Sequence, residues 1–301
     1  MEVLVTGGSG FVGTRLQKKQ KNWTYISSKD YDLTVKDHCR QMLLDIKPDV
    51  VLHLAGKVGG IKENNKKQAD FYYTNTMINT NILEESYRAG VGRVLSSLST
   101  CAFPDKLDKY PFTEEDLLIG PPAVTNFSYG YAKRSLFVQS LSYSRQYGVN
   151  YNCFCPSNLY GPDDNFDLES GHFVPNLIRK VFESGMKKNI ELWGTGKPLR
   201  QQLYVDDLVQ LIPVLIKKHK GDSPLIVAPN ENYSIRELAN LLIEQLDRDF
   251  NIVFNNELDG QFRKDGDNKR LLGVVGDYNF TTFKEGVMKT YEWYEKNYEK
   301  Q

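Results

Sequence analysis

Short, fully apolar runs alternate with longer stretches whose apolar positions recur at three- and four-residue spacing, and this alternation fills the first half of the chain. Glu2 to Thr6 predicts a buried strand, followed by a glycine turn and a helix from Phe11 to Lys19. Trp23 to Ser27 predicts a second strand, Asp37 to Asp45 a helix, and Asp49 to Leu54 a third strand. A helix is expected over Ala69 to Ala89, then a strand over Val91 to Leu98. Tyr129 to Tyr147 predicts another helix and Asn150 to Cys155 another strand. Strands that lack polar alternation are covered on both faces, and strand–helix repetition supplies the cover.

The pattern therefore predicts an α/β fold with a Rossmann-type doubly wound parallel sheet. After Pro156 the order loosens: Gly161, Pro162, Gly171, Gly194, Gly196 and Pro198 punctuate short elements. Helices are expected at 173–184, 206–218, 234–246 and 282–297, and a loop from Asp259 to Arg270. This predicts a smaller, mixed α/β, substrate-binding C-terminal domain. The nucleotide domain takes 1–156 with a return over about 203–228, and the second takes 157–202 and 229–301.

Charge narrows the range of partners. The 301 residues carry 38 basic and 38 acidic side chains, so no basic surplus points to nucleic acid or to a membrane surface. No apolar run is long enough to span a bilayer, and Val3-Leu4-Val5 enters a strand with no basic stretch before it, so no signal peptide is expected. Cys39, Cys101, Cys153 and Cys155 form no CxxC pair, which suits reduced thiols and a cytoplasmic location.

Thr6-Gly7-Gly8-Ser9-Gly10-Phe11-Val12-Gly13 places GxxGxxG spacing between the first strand and the first helix. Gly7 permits the turn, Gly10 lets a pyrophosphate approach the backbone, and Gly13 lets the helix pack closely on the sheet. The helix N-terminus adds free N–H groups and partial positive charge. At the end of strand two, where NAD binders carry an acid for the ribose diol, stands Ser27-Ser28-Lys29. Two hydroxyls and a cation there suit a 2′-phosphate, hence NADP(H). Asp30 and Asp32 follow, and either would be that acid if the strand ended a few residues later. The cofactor site is expected to use Gly7, Gly10, Phe11, Val12, Gly13, Ser28, Lys29, Asp32 and Leu33. Leu54, Ala55, Tyr129, Lys133 and Pro156 complete it.

Tyr129 and Lys133 share one face of a helix. YxxxK spacing is common by chance in a chain with 18 tyrosines, and Tyr25…Lys29 is a second match. Only Tyr129…Lys133 opens a predicted helix after a strand that ends next to Ser99. Reducing a ketone needs a proton donor, and a phenol of pKa about 10 is a slow one at neutral pH. A lysine ammonium at about 4 Å would favour the phenolate by roughly 4 kcal/mol at an effective dielectric near 20. Ser99 would orient the carbonyl oxygen.

Several narrower runs resemble the GDP-L-fucose synthase family of extended short-chain dehydrogenases/reductases. They include Leu98 to Lys106 (LSTCAFPDK), Lys57 to Gly60, Asn158 to Phe166, Gly171 to Pro175, Trp193 to Arg200 and Asp259 to Lys264. The resemblance covers nearly the whole chain. It implies epimerisation of GDP-4-keto-6-deoxy-mannose at C3 and C5 and reduction at C4 with NADPH. Cys101 is then the base and His172 the acid. Lys180, Arg200 and Lys264 neutralise the substrate pyrophosphate, Trp193 holds the base, Asn158 holds phosphate or hydroxyls, and Val174 lies in the same substrate site. The bland readings are a small buried cysteine, a helix-start histidine, solvated cations, a core tryptophan and a turn asparagine. Asp163 stands where the family pattern has histidine, which would alter charge near the sugar, and 265–273 departs from the usual run. A homodimer through the two long helices is also implied.

Two other readings share these motifs. A reductase acting only at C4 of a related GDP-4-keto-6-deoxy sugar, such as a heptose, would keep them, because Cys101 and His172 can persist after epimerisation is lost. A catalytically silent NADP-sensing protein of the same fold is opposed by Ser99, Tyr129 and Lys133, since a sensor needs no proton donor.

Overall fold

A computed structural model of the chain describes residues 1–184, 189–246, 250–257 and 259–297. The first half runs β1 (Val3–Thr6), α1 (Phe11–Lys19), β2 (Thr24–Ile26), α2 (Lys36–Ile46), β3 (Val50–His53), α3 (Ile61–Lys66) and α4 (Gln68–Arg88). It continues with β4 (Arg93–Ser97), α5 (Phe127–Tyr147) and β5 (Asn150–Pro156). Then come β6 (Asn158–Tyr160), α6 (Phe173–Glu183), β7 (Asn189–Leu192), β8 (Leu199–Arg200), β9 (Gln202–Tyr204) and α7 (Val205–Lys218). The last elements are β10 (Leu225–Val227), β11 (Tyr233–Ser234), α8 (Ile235–Ile243), β12 (Asn251–Phe254), α9 (Lys269–Val275) and α10 (Phe283–Asn297).

Six strands form one sheet in the order β10-β5-β4-β3-β1-β2, every pair parallel. Within β1 the side chains alternate between two cores. Leu4 joins Val51, Val94, Met42, Ile82 and Leu136 on the face covered by α2, α4 and α5. Val3 and Val5 join Leu52, Leu95, Leu16, Leu208 and Ile212 on the face covered by α1 and α7. This two-sided burial is why the strands read as unbroken apolar runs. The chain leaves β1 toward β2 on one side and returns to β3 on the other, and ligands bind at the carboxyl edge of such a reversal.

A third core gathers Tyr160, Phe166, Leu177, Ile178, Leu238 and Phe283 beneath α6, α8 and α10. Three two-stranded ladders accompany it: β6 with β9, β8 with β11, and β7 with β12. The segment from α7 through β10 returns to the main sheet, where α7 packs on its core and β10 pairs with β5. Residues 269–280 depart from the expected division, because Leu271 of α9, Val274, Val275, Tyr278 and Phe280 pack against the sheet core rather than the third core. The expected loop from Asp259 holds up to α9, which starts at Lys269.

Candidate active site

Gly7 turns the chain out of β1 with φ +75°, and a Cβ there would lie 2.9 Å from the backbone nitrogen of Ala55, at the end of β3. Gly13 lies so near the turn that a Cβ would meet the carbonyl of Gly8 at 2.6 Å. Gly10 caps α1 with no side-chain hydrogen bond, so the first-turn N–H groups face the strand ends uncapped. A cradle that a Cβ would fill, opening on a helix N-terminus, fits a dinucleotide pyrophosphate. Phe11 and Val12 start the helix half-buried, Leu54 is half-buried against the α1–α7 core, and Pro156 ends β5 fully buried.

Beyond β2, both carboxylates are already engaged. Asp30 accepts hydrogen bonds from the backbone N–H and the hydroxyl of Ser27, each at 2.8 Å. Asp32 accepts from the backbone N–H of Thr34 at 2.9 Å and its hydroxyl at 2.7 Å. These bonds hold both acids below the usual carboxylate range. Ser28 and Lys29 are exposed beside them, a corner suited to a phosphate rather than to a bare ribose diol. Leu33 is core: its side chain is buried, and its carbonyl accepts from Asn81. The decoy pair is separated by structure, because Tyr25 lies in β2 with its hydroxyl on the carbonyl of Gln20.

After β4 the chain makes a tight 3₁₀ turn over Thr100–Ala102, capped by Ser99, whose hydroxyl accepts from the N–H of Cys101 at 3.2 Å. Helix α5 packs hard on this turn. A Cβ on Gly130 would stand 2.5 Å from the carbonyl of Cys101, so glycine next to Tyr129 permits the approach. The Ser99 hydroxyl and Cys101 both lie close enough to act on the Tyr129 phenol. Burial pushes the phenol above its ordinary value, Cys101 adds to the rise, and Ser99 offsets part of it. Lys133 donates to the carbonyl of Ser97 at 2.8 Å and lies 5.9 Å from the centroid of the Tyr129 ring. Burial pushes this lysine down to about 8. The expected lowering of the phenol by its lysine is therefore not what this arrangement gives: burial is the leading influence on both groups.

The thiol of Cys101 behaves differently. Lys264 donates to its sulfur at 3.1 Å. Burial raises the thiol, but the charge and hydrogen bond of Lys264, the Ser99 hydroxyl and the charge of Arg200 together bring it below an ordinary thiol. His172 caps α6; desolvation by the surrounding protein, then the charge of Lys264, lower its pKa. Burial likewise lowers Arg200 to about 10.

The remaining expected residues divide. Lys180 donates to the carbonyl of Glu191 at 2.8 Å, two residues before the half-exposed Trp193. Lys264 reaches the sulfur of Cys101, and Arg200, which donates to the carbonyl of Leu199 at 2.7 Å, acts on that sulfur by charge. Asn158 gives its amide to the carbonyl of Gln201 at 2.9 Å. Val174 is buried in the third core. Asp163 does not set charge near the sugar: at φ +68° it pairs with Arg15 at 3.0 Å and Lys18 at 2.5 Å, both on α1. It ties the two parts of the molecule together.

One positioning network was not anticipated. The Ala55 N–H donates to the Thr6 hydroxyl at 3.2 Å, and that hydroxyl meets His53 Nδ1 at 2.8 Å. His53 Nε2 meets the amide oxygen of Asn79 at 3.1 Å, while the Asn79 amide donates to the carbonyl of Ala132. The amide orientation requires a proton on Nε2, leaving Nδ1 to accept from Thr6. Asn75, one turn before Asn79, pins both the N–H and the carbonyl of Lys57 at 3.0 Å. Asparagines at i and i+4 inside an otherwise helical run were the available signal.

Residues 3–235 match the model of the NAD dependent epimerase/dehydratase family, and the chain belongs to that family. Among its relatives, the GDP-L-fucose synthase of Dictyostelium discoideum is 38% identical, over 99% of this chain and 96% of that protein. The crystal structure of a GDP-L-fucose synthetase from Naegleria fowleri bound to NADP superposes with a TM-score of 0.90 at 35% identity, covering 99% of this chain and 93% of that one. A GDP-mannoheptose C4 reductase from Campylobacter jejuni with NADP bound gives 0.88 at 26% identity, over 98% of both chains. The resemblance seen in the motifs holds along the whole chain.

Proposed function

We propose that the protein is an NADPH-dependent 3,5-epimerase/4-reductase that converts GDP-4-keto-6-deoxy-D-mannose to GDP-L-fucose. The observation that carries this reading is a shared turn: Ser99 caps the 3₁₀ turn that holds Cys101, and α5 packs on that turn at Gly130, next to Tyr129. A proton donor for reduction and a base for epimerisation thus meet at one point. The relatives at 35–38% identity act under the matching name.

The C4 ketone acidifies the protons on C3 and C5. The Cys101 thiolate takes one of them, the C–H electron pair moves to the C4 oxygen, and the hydroxyls of Ser99 and Tyr129 hydrogen-bond that oxygen. His172 returns a proton from the other face, which inverts the carbon. NADPH, when bound, supplies the hydride to C4. Tyr129 then gives its phenolic proton to the C4 oxygen. Lys133, whose pKa near 8 suits exchange at neutral pH, helps to reprotonate the phenol. Gly7, Gly10 and Gly13 cradle the cofactor pyrophosphate, Ser28 and Lys29 hold its 2′-phosphate, and Trp193 and Lys180 lie where the GDP moiety docks.

Running the reaction with NADPH and the keto-sugar in heavy water tests the proposal: deuterium should appear at C3 and C5 of the product. A C4-reductase reading is favoured by the mannoheptose reductase neighbour. Turnover without ring deuterium selects it, and no turnover at all sinks both. Cys101→Ala should keep C4 reduction and lose ring exchange.

A second copy of the chain docks on α4 and α5, whose outer faces expose Tyr72, Tyr73, Phe127 and Val138. Sedimentation of the wild type and of Val138→Glu tests this homodimer. No helix among the described residues is long and apolar enough to cross a membrane. The thiol chemistry requires a reducing compartment, consistent with the cytoplasm.

A further inference from the structure

Lys264 belongs to a segment tied down on both sides. The backbone N–H of Leu199 donates to the carbonyl of Phe262 at 2.9 Å. Phe112 donates to the carbonyl of Asp265 at 2.9 Å and accepts from Asp267 at 2.8 Å. The side chain of Gln201 spans Gly266, accepting from its N–H at 2.8 Å and donating to its carbonyl at 3.1 Å. Arg263 pairs with Asp265 at 2.6 Å, so the neighbouring carboxylate is already neutralised. Lys264 itself is 6% exposed and, among the described residues, pairs with no carboxylate; its ammonium points at sulfur.

We infer that Lys264 is a positioning residue for the base: its ammonium, fixed 3.1 Å from the sulfur of Cys101, holds that side chain as a thiolate. This goes beyond charge neutralisation of a pyrophosphate, and its catalytic consequence rests on the epimerase reading above. An ammonium placed in a buried site lowers the energy of an adjacent anion far more than it could in water. The other groups that face the thiol are Ser99 and Arg200, which also favour the anion, and Tyr129 and Cys155, whose own ionisation the thiolate disfavours. The same ammonium disfavours a charged His172, which makes protonated His172 a stronger acid. One cation thus raises the fraction of Cys101 present as the thiolate base and makes the acid stronger. In the proton transfer, the thiolate lone pair takes the ring proton and Lys264 keeps all of its own.

The test is the pH dependence of iodoacetamide alkylation of the purified enzyme without sugar, where the thiolate displaces iodide to form a thioether. Cys39, Cys153 and Cys155 are buried, so Cys101 is the thiol that reacts; Cys101→Ala gives the blank. The wild-type midpoint should fall below about 8.5, the value of an ordinary thiol. Lys264→Met keeps the apolar stem, and should raise the midpoint and cut the neutral-pH alkylation rate about tenfold or more. Lys264→Arg should restore it. In the heavy-water assay, both limbs of the pH profile for ring exchange should shift upward in Lys264→Met.

A wild-type midpoint at or above the ordinary value overturns the inference without any variant. So does an unchanged midpoint in Lys264→Met with only KM raised, which would leave Lys264 as a pyrophosphate ligand alone. Alkylation uses no sugar, so failure of the proposed substrate reading is read separately, as absence of ring deuterium in the wild type.

Discussion

At the nucleotide turn, the cradle is built by residues 6–13 and by the strand end that carries Ala55, with neighbours in sequence doing most of the work. At the thiol corner, Ser99 and Cys101 lie near Tyr129 of α5, Arg200 of β8 and Lys264, the last of them 163 residues from Cys101, and Lys264 acts in turn on His172 of the α6 cap. The first site is made by steric rules acting along a short stretch. The second exists only when the sheet, the third core and the 259–267 segment have all come together. Damage to the turn should therefore appear in cofactor affinity and stability, whereas damage at the corner should appear in chemistry.

The sharpest test of that contrast is Tyr129→Phe. Losing the phenolic proton should cut C4 reduction by about a hundred- to ten-thousandfold, with NADPH affinity close to wild type. Steady-state NADPH oxidation alongside cofactor titration measures both; activity within a few-fold of wild type would remove the phenol from the mechanism. Gly13→Val should do the opposite. Its side chain has no room beside the Gly8 carbonyl, so NADPH binding should vanish and the fold lose about 1–3 kcal/mol, read from denaturant melts. Normal binding by this variant would mean that the helix start does not hold the cofactor.

A smaller effect is expected at the rim. Lys29→Ala should reduce the preference for NADPH over NADH by about tenfold, through loss of a charge-assisted bond to the 2′-phosphate. An unchanged ratio would shift that role elsewhere.

The smallest effect concerns stability against pH. Burial pushes His53 down to about 3 and His219 down to about 4, so both are neutral in the fold. The unfolded chain takes up protons below about 6.5, so stability is full above that value and declines as the pH falls toward the folded values. The slope should approach 1.4 kcal/mol per pH unit per histidine, roughly, and His219→Gln should flatten it. Melts at several pH values between about 7 and 5 check this; a flat profile in the wild type would show that these histidines charge without cost.

Long elements were legible because each carries a full period of its pattern. The apolar runs of β1, β3, β4 and β5 and the helical spacing of α4, α5 and α7 all appear within a residue or two of expectation. The two-residue strands β8 and β11 and the short helices α3 and α9 hold too few positions to show a period. Site residues followed the same division. Motif position brought Ser99, Tyr129 and Lys133 forward as candidates but could not set their protonation. Lys133 was expected to acidify the phenol, and burial of both groups reverses that. Asp163 looked like a change near the sugar and proves to be a clasp on α1.

Sequence alone determined the parallel sheet, the glycine turn and the residue types that stand at the strand-two corner and at the head of α5, because these depend on periodicity, on missing Cβ atoms and on residue type. Tertiary structure decided which cation stands beside which acid. That choice depends on distances between segments far apart in the chain and on how much water the closed fold leaves around them, and neither quantity is written in any local stretch.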